Sequence, residues 1–214
     1  RRVACRTFFS AGPALPATAF VLDYAEARVT IRRLSEHPTE VLAICGSLRA
    51  GSSNAAVLRA LAAAAPEGVS VTFNPPLDGL PFFNADIEEA GPPAAVAEWR
   101  ARIAAHDALA ISSPEYAHGV SGVLKNALDW LVGGVEIVGK PIAIPNPRPQ
   151  ATWAHPALLE SLRIMGGVVV HQTALPLTGR KLDCRGIADD PELAGQIPSA
   201  LDALVAAVSQ GLAK

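Results

Sequence analysis

The sequence predicts a three-layer, doubly wound α/β sandwich on a five-stranded parallel sheet. From residue 39 onward, five short apolar runs alternate with helical patterns. The runs are 40–45 (EVLAIC), 69–73 (VSVTF), 107–112 (DALAIS), 140–144 (KPIAI) and 167–171 (GVVVH). They are apolar almost throughout rather than at every second position, as strands are when helices cover both faces of a parallel sheet. Helices are expected at about 53–65, 93–105, 120–132, 152–165 and 197–212. In the first, Val57, Leu58 and Leu61 share a face. In the third, Val120, Val123, Leu124, Leu128 and Leu131 recur at helical spacing. Pro92 and Pro93 suit the start of the second. The stretches 74–91 and 172–196 are rich in Pro, Gly and Asp and are expected to be long loops.

Of the 214 residues, half are hydrophobic, which is enough for one domain with a full core. A net charge of −2 gives no general attraction to nucleic acid or anionic lipid. No apolar run approaches the roughly 20 residues a membrane span needs. Cys5, Cys45 and Cys184 are too scattered for a disulfide framework or a metal pair. His37, His106, His155 and His171 show no ligand spacing, so no metal site is expected, and His118 reads as a substrate contact or, at least equally, as a structural or solvated histidine. Arg1 and Arg2 open the chain, but the residues after them are broken by glycine and prolines and lack the apolar core of an export signal. A cytoplasmic location is expected. Residues 1–38 read as a poorly ordered N-terminal extension, and 39–214 as the domain.

Two segments carry the chemistry. The first is GSLRAGSSN, residues 46–54, between the first strand and the first helix. One N-cap, Ser52 or Ser53, would explain a helix start. It would not explain Arg49, Ser47, Asn54 and two glycines as well. The surplus of donors at a strand's carboxyl end, facing a helix N-terminus, suits a phosphate. Gly46 and Gly51 are expected to allow close backbone approach. GxxxxGK[ST] and GxGxxG are both absent, so neither a nucleoside-triphosphate loop nor a direct dinucleotide fingerprint is present.

The second segment is SSPEYAHGVSGVLKNALDWL, residues 112–131, at the end of the third strand. In a 2-1-3-4-5 strand order it lies beside the first. Together the two resemble the NAD(P)H-dependent FMN reductase family, which includes quinone and chromate reductases. Gly46, Ser47, Arg49, Ser52 and Asn54 meet the family pattern GSxRxxSxN. Ser113 to Ala117, then Gly122, Leu124 to Ala127 and Asp129 to Leu131, meet its second motif. LPFFNAD, Leu80 to Asp86, is a weaker match.

The resemblance implies a flavodoxin-like fold, bound FMN and NAD(P)H as co-substrate. It implies that Ser47, Arg49, Ser52, Ser53 and Asn54 hold the FMN phosphate. Pro114, Glu115, Tyr116 and Ala117 would line the flavin edge, largely through backbone amides. No catalytic side chain is required, because the cofactor carries the hydride chemistry. The third loop, PNPRPQATWAHP (145–156), lacks the glycines many relatives have there, and would bring Arg148 or Trp153 near the ring. The implied activity passes hydride from NAD(P)H through FMN to quinones, flavins or other small acceptors by a ping-pong route. A non-enzymatic FMN electron carrier is the alternative. Lys125, Asn126 and Asp129 read as polar positions of an amphipathic helix. Trp130 reads equally as core or as an anchor at the interface of a homodimer or homotetramer, the assemblies the family suggests.

Overall fold

The computed structural model describes residues 38–177, 179–180 and 182–211, together with the backbone of Phe20–Val21 and Arg32–Arg33. The chain divides into two units, Arg1–Pro38 and Thr39–Lys214. In the first, Phe20–Val21 pairs antiparallel with Arg32–Arg33. The rest of the expected extension lies outside the described residues.

The second unit holds the sheet. Its strands are β1 (Thr39–Cys45), β2 (Val69–Phe73), β3 (Ala108–Ser112), β4 (Pro141–Asn146) and β5 (Val168–Ala174). The spatial order is β2-β1-β3-β4-β5, all parallel, which is the flavodoxin-like order expected. The helices are α1 (Ser53–Ala63), α2 (Ala94–Ala105), α3 (Gly122–Asp129), α4 (Ala154–Ile164) and α5 (Ile197–Ser209).

The central strands β1, β3 and β4 are dry on both sides. Val41 and Ala43 of β1, Ala108 and Ala110 of β3 and Ala143 of β4 pack under α1 and α5. Leu42, Ile44, Leu109, Ile111, Ile142 and Ile144 face α2, α3 and α4. One face is mostly alanine and the other leucine and isoleucine. Alternate residues on opposite faces, all apolar, give the continuous runs seen in the sequence.

The structure departs from expectation in three places. The stretches read as plain loops contain short helices, Ala85–Glu89, Cys184–Ala188 and Pro191–Ala194. Each is too short to show a period but has a working N-cap: Asn84 accepts from Asp86 N, Asp183 from Gly186 N, and Asp190 from Glu192 N and Leu193 N. Strands β4 and β5 run past their expected ends, pairing Ile144 with Gln172 and Asn146 with Ala174. Residues 115–119, read as loop, and Val120, read as the start of the third helix, form a hairpin of Glu115–Tyr116 with Gly119–Val120.

Trp130 is buried in this chain, and its Nε1 donates to the Pro81 carbonyl at 2.8 Å. Asn126, one turn earlier on α3, is more than a solvated helix position. Its Oδ1 accepts from Phe83 N at 2.8 Å and its Nδ2 donates to Pro81 O at 2.9 Å. The two side chains clasp the 80–84 segment onto α3. Asn126→Ala is therefore expected to lower unfolding free energy by about 1–2 kcal/mol, the scale of two partly exposed hydrogen bonds. A urea melt measures the loss, and limited proteolysis should show faster cutting near Phe83.

Candidate functional site

The site follows from topology. Strand β1 connects through α1 to β2 on one side, and β2 connects through α2 to β3 on the other side of β1, so a crevice opens at the carboxyl ends of β1 and β3 where the winding reverses. A cleft of about 500 Å3 lies there. The β1–α1 loop contributes Ser47, Arg49, Ser52, Ser53 and Asn54 to its wall. The segment after β3 contributes Ser113, Pro114, Glu115 and Tyr116, and the segment after β4 contributes Pro147, Arg148 and Ala151. The two sequence motifs thus meet across one opening. Ala117 is at the tip of the neighbouring hairpin and is not among the lining residues.

The β1–α1 loop is built in layers. Gly46 N continues the ladder by donating to Ser112 O at 2.8 Å. A Cβ on Gly46 would come within 3.0 Å of Ser121 Oγ and 3.2 Å of Leu124 Cβ, so this glycine is required by close packing against α3. Gly51 is different: a Cβ there meets nothing within 4 Å, and no approach within the chain explains it. Ser47 Oγ accepts from Arg49 N at 3.4 Å and turns the loop. Ser52 is the N-cap of α1, its Oγ accepting from Ala55 N at 3.3 Å. The capping role is therefore real, and it uses an oxygen lone pair of Ser52 and not its proton. Cys45 is half-buried beneath this loop, its Sγ 3.5 Å from Ser47 O and 4.0 Å from Ser52 Oγ.

Of the first-turn N–H groups of α1, those of Ala55 and Ala56 go to Ser52. Those of Ser53 and Asn54 have no partner among the described residues and stand at the positive end of the helix dipole. Arg49 and Arg148 line the same cleft, and neither pairs with a carboxylate among the described residues. Free N–H groups, hydroxyls and two guanidinium groups fit a phosphate dianion in charge and in donor number.

Glu115 is the acidic residue in this wall, and its charge is used elsewhere. Its Oε2 accepts from Trp153 N at 2.9 Å and from Ala154 N at 2.7 Å, filling the N-terminus of α4. The Ala154 bond chiefly, then that from Trp153 and the proximity of His118, hold its carboxyl below the usual carboxylate range, against a raising effect of desolvation. The same contact joins the hairpin to the third loop, and the His118 ring stacks on Trp153 with centroids 5.3 Å apart. The hairpin turn, Ala117–His118, has φ of 48° and 61°. This is the left-handed pair of a two-residue type I′ turn, usually Asn-Gly, and costs about 1–2 kcal/mol per residue here.

Ser112 was not singled out in the sequence. It is fully buried at the end of β3, with its hydroxyl 2.9 Å from Asn54 Oδ1 and 2.7 Å from Pro145 O. One proton serves both acceptors and ties together α1, β3 and β4. Because Asn54 Oδ1 is turned inward, its NH2 group is left for the cleft. No signal marks this in the sequence, where Ser112 looks like a polar strand end. Among the described residues, no group of three or more His, Cys, Asp or Glu is placed to hold a metal.

Fold and cleft together define a doubly wound α/β protein with a donor-rich cleft at the switch point. The sequence model of the NADPH-dependent FMN reductase family matches residues 39–179. The chain is 43% identical over 107 residues to an NAD(P)H-dependent FMN reductase of Pseudomonas aeruginosa, covering 49% of this chain and 57% of that one. It is 32% identical over 175 residues to a quinone reductase of Escherichia coli, covering 74% of this chain and 91% of that one. Among solved structures it superposes on a flavoenzyme NAD(P)H:(acceptor) oxidoreductase from Paracoccus denitrificans with a TM-score of 0.66 and 26% identity. That match covers 80% of this chain and 98% of the other. The chain belongs to the NADPH-dependent FMN reductase family.

Two outcomes follow. Ser112→Ala releases the Asn54 amide, and FMN affinity should fall about tenfold while riboflavin affinity holds, since only the phosphate contact is lost. Parallel fluorescence titrations with the two flavins measure the ratio. Glu115 has a lowered pKa in the folded state, so the stability it contributes is present above its unfolded value and lost as pH falls through the folded one. Urea midpoints of wild type and Glu115→Gln should differ at neutral pH and converge in acid.

Proposed function

We propose that this protein oxidises NAD(P)H and passes the electrons, through FMN held in the cleft, to quinones, flavins or other small acceptors in a ping-pong cycle. Family membership makes the chain an FMN- and NAD(P)H-dependent oxidoreductase. The observation that carries the finer reading is the cleft itself, where two unpaired guanidinium groups and the free N–H groups of Ser53 and Asn54 converge.

Bound FMN would supply the hydride chemistry. The chain's part is to hold and shape. Ser47, Arg49, Ser52, Ser53 and Asn54 bind the phosphate, with Arg148 as a second cation across the cleft. The backbone of Pro114 to Ala117 borders the flavin edge, where fixed N–H dipoles favour the negative charge of a reduced ring. The Glu115 clasp holds that border against α4 and keeps its own charge away from the phosphate.

The reading includes self-association. Phe82, Val132 and Val135 are 88%, 64% and 78% exposed around the end of α3, an apolar surface suited to a second copy of this chain. It also includes a cytoplasmic location, where NAD(P)H is supplied. Cys45 and Cys184 are free thiols, and no helix among the described residues is long and apolar enough to cross a membrane.

The test is the visible spectrum of the purified protein before and after anaerobic NADPH. Flavin bands at about one FMN per chain that bleach on mixing, followed by parallel initial-rate plots with a quinone, are the expected result. Bands that persist with both NADPH and NADH would identify an electron carrier instead. Intersecting plots would remove the ping-pong route.

A further inference from the structure

Three voids follow one another along the carboxyl edge of the sheet. The first is the phosphate cleft. The next, between the end of β4 and the start of α4, shares Ser113 and Ala151 with it. The last, about 650 Å3, lies at the ends of β4 and β5 and shares Asn146, Ala151 and His155 with the middle one. Three inter-strand steps of about 4.8 Å place this far cleft roughly 14 Å from β1.

Its chemistry differs from that of the phosphate end. No Asp, Glu, Lys or Arg lines it. Two carboxamides do, and both have their oxygens committed. Asn146 Oδ1 accepts from Arg148 N at 2.9 Å, and Gln172 Oε1 pairs with His155 Nε2 at 2.9 Å, so that nitrogen carries the proton. Both NH2 groups are left as donors. The Thr152 hydroxyl is on the same wall. Thr173 lines the cleft too, and its buried hydroxyl has no partner among the described residues, a group that a ligand or ordered water satisfies. Pro149, Pro156 and Ala174 supply apolar surface.

Uncharged donors between apolar walls fit a flat, neutral molecule that carries acceptors at its rim. We propose that the far cleft binds the carbonyl end of a quinone-type acceptor through Gln172, Asn146 and Thr152. A nicotinamide dinucleotide, with its charged phosphates, finds no cation there. The proposal rests on the oxidoreductase reading above and names the acceptor side of the same groove.

The probe is 1,4-naphthoquinone, titrated calorimetrically into oxidised holoprotein without NAD(P)H. Gln172 is exposed at the end of an edge strand, so Gln172→Leu removes a donor without opening the core. The expected result is about tenfold weaker naphthoquinone binding, the scale of one hydrogen bond, with a similar loss in Thr152→Val. In turnover the loss should appear in KM for the quinone. It should not appear in the anaerobic bleaching rate with NADPH or in reduction of ferricyanide, which offers no carbonyl. Unchanged naphthoquinone affinity in both variants would overturn the proposal, as would equal damage to the NADPH half-reaction. A wild-type protein that binds no FMN would instead overturn the oxidoreductase reading, and the two failures are told apart before any variant is made.

Discussion

Because helices cover both faces of the central strands, β1, β3 and β4 carry no functional side chain along their length. Leu42 and Ile44 face one layer, Val41 and Ala43 the other, and β3 and β4 repeat the pattern. A polar group placed mid-strand would be buried without water and would cost more than it could return. Polar chemistry is therefore confined to the strand ends. The two faces are also unequal. Alanines at 43, 108, 110 and 143 lie under α1 and α5, whereas leucines and isoleucines lie under α2, α3 and α4.

Two helix N-termini open on the same edge, and the chain treats them differently. That of α4 is filled from within by the Glu115 carboxylate. That of α1 is capped by Ser52 on one side and left with free donors on the other. Every doubly wound domain has such termini, so the geometry alone says little about binding. The difference in how they are satisfied says more. An anion from outside the chain is favoured at α1, where Arg49 and Arg148 add charge, and is already replaced by a protein group at α4.

How much was legible follows from the range of each signal. The central strands β1, β3 and β4 were, because burial on both faces writes itself into consecutive residues. The polar wall that the β1–α1 loop gives to the cleft was, because its donors are contiguous from Ser47 to Asn54. The hairpin was not, since Ala117 and His118 occupy left-handed positions that Asn-Gly would announce and these residues do not. Asn126 and Ser112 were missed for a different reason. Each acts on a segment distant in sequence, Pro81 and Phe83 for one, Asn54 and Pro145 for the other. A polar residue whose partner is decided by the fold looks, in the sequence, like any solvated one.

The third loop shows how composition can mislead about mechanics. Lacking glycine, PNPRPQATWAHP departs from the flexible cradle that the resemblance suggests, but the structure gives the rigidity a use. Asn146 Oδ1 holds Arg148 N, Ala151 N donates to Arg148 O at 2.8 Å, and Leu177 N donates to Pro147 O at 3.1 Å. Prolines at 145, 147 and 149 fix φ between these contacts. Such a loop is a stiff bridge across the groove. It presents Arg148 to the phosphate end, and Pro149 and Thr152 to the far end. A glycine-rich loop could let the cation swing between the two. Here the backbone keeps charge on one side of the groove and neutral donors on the other.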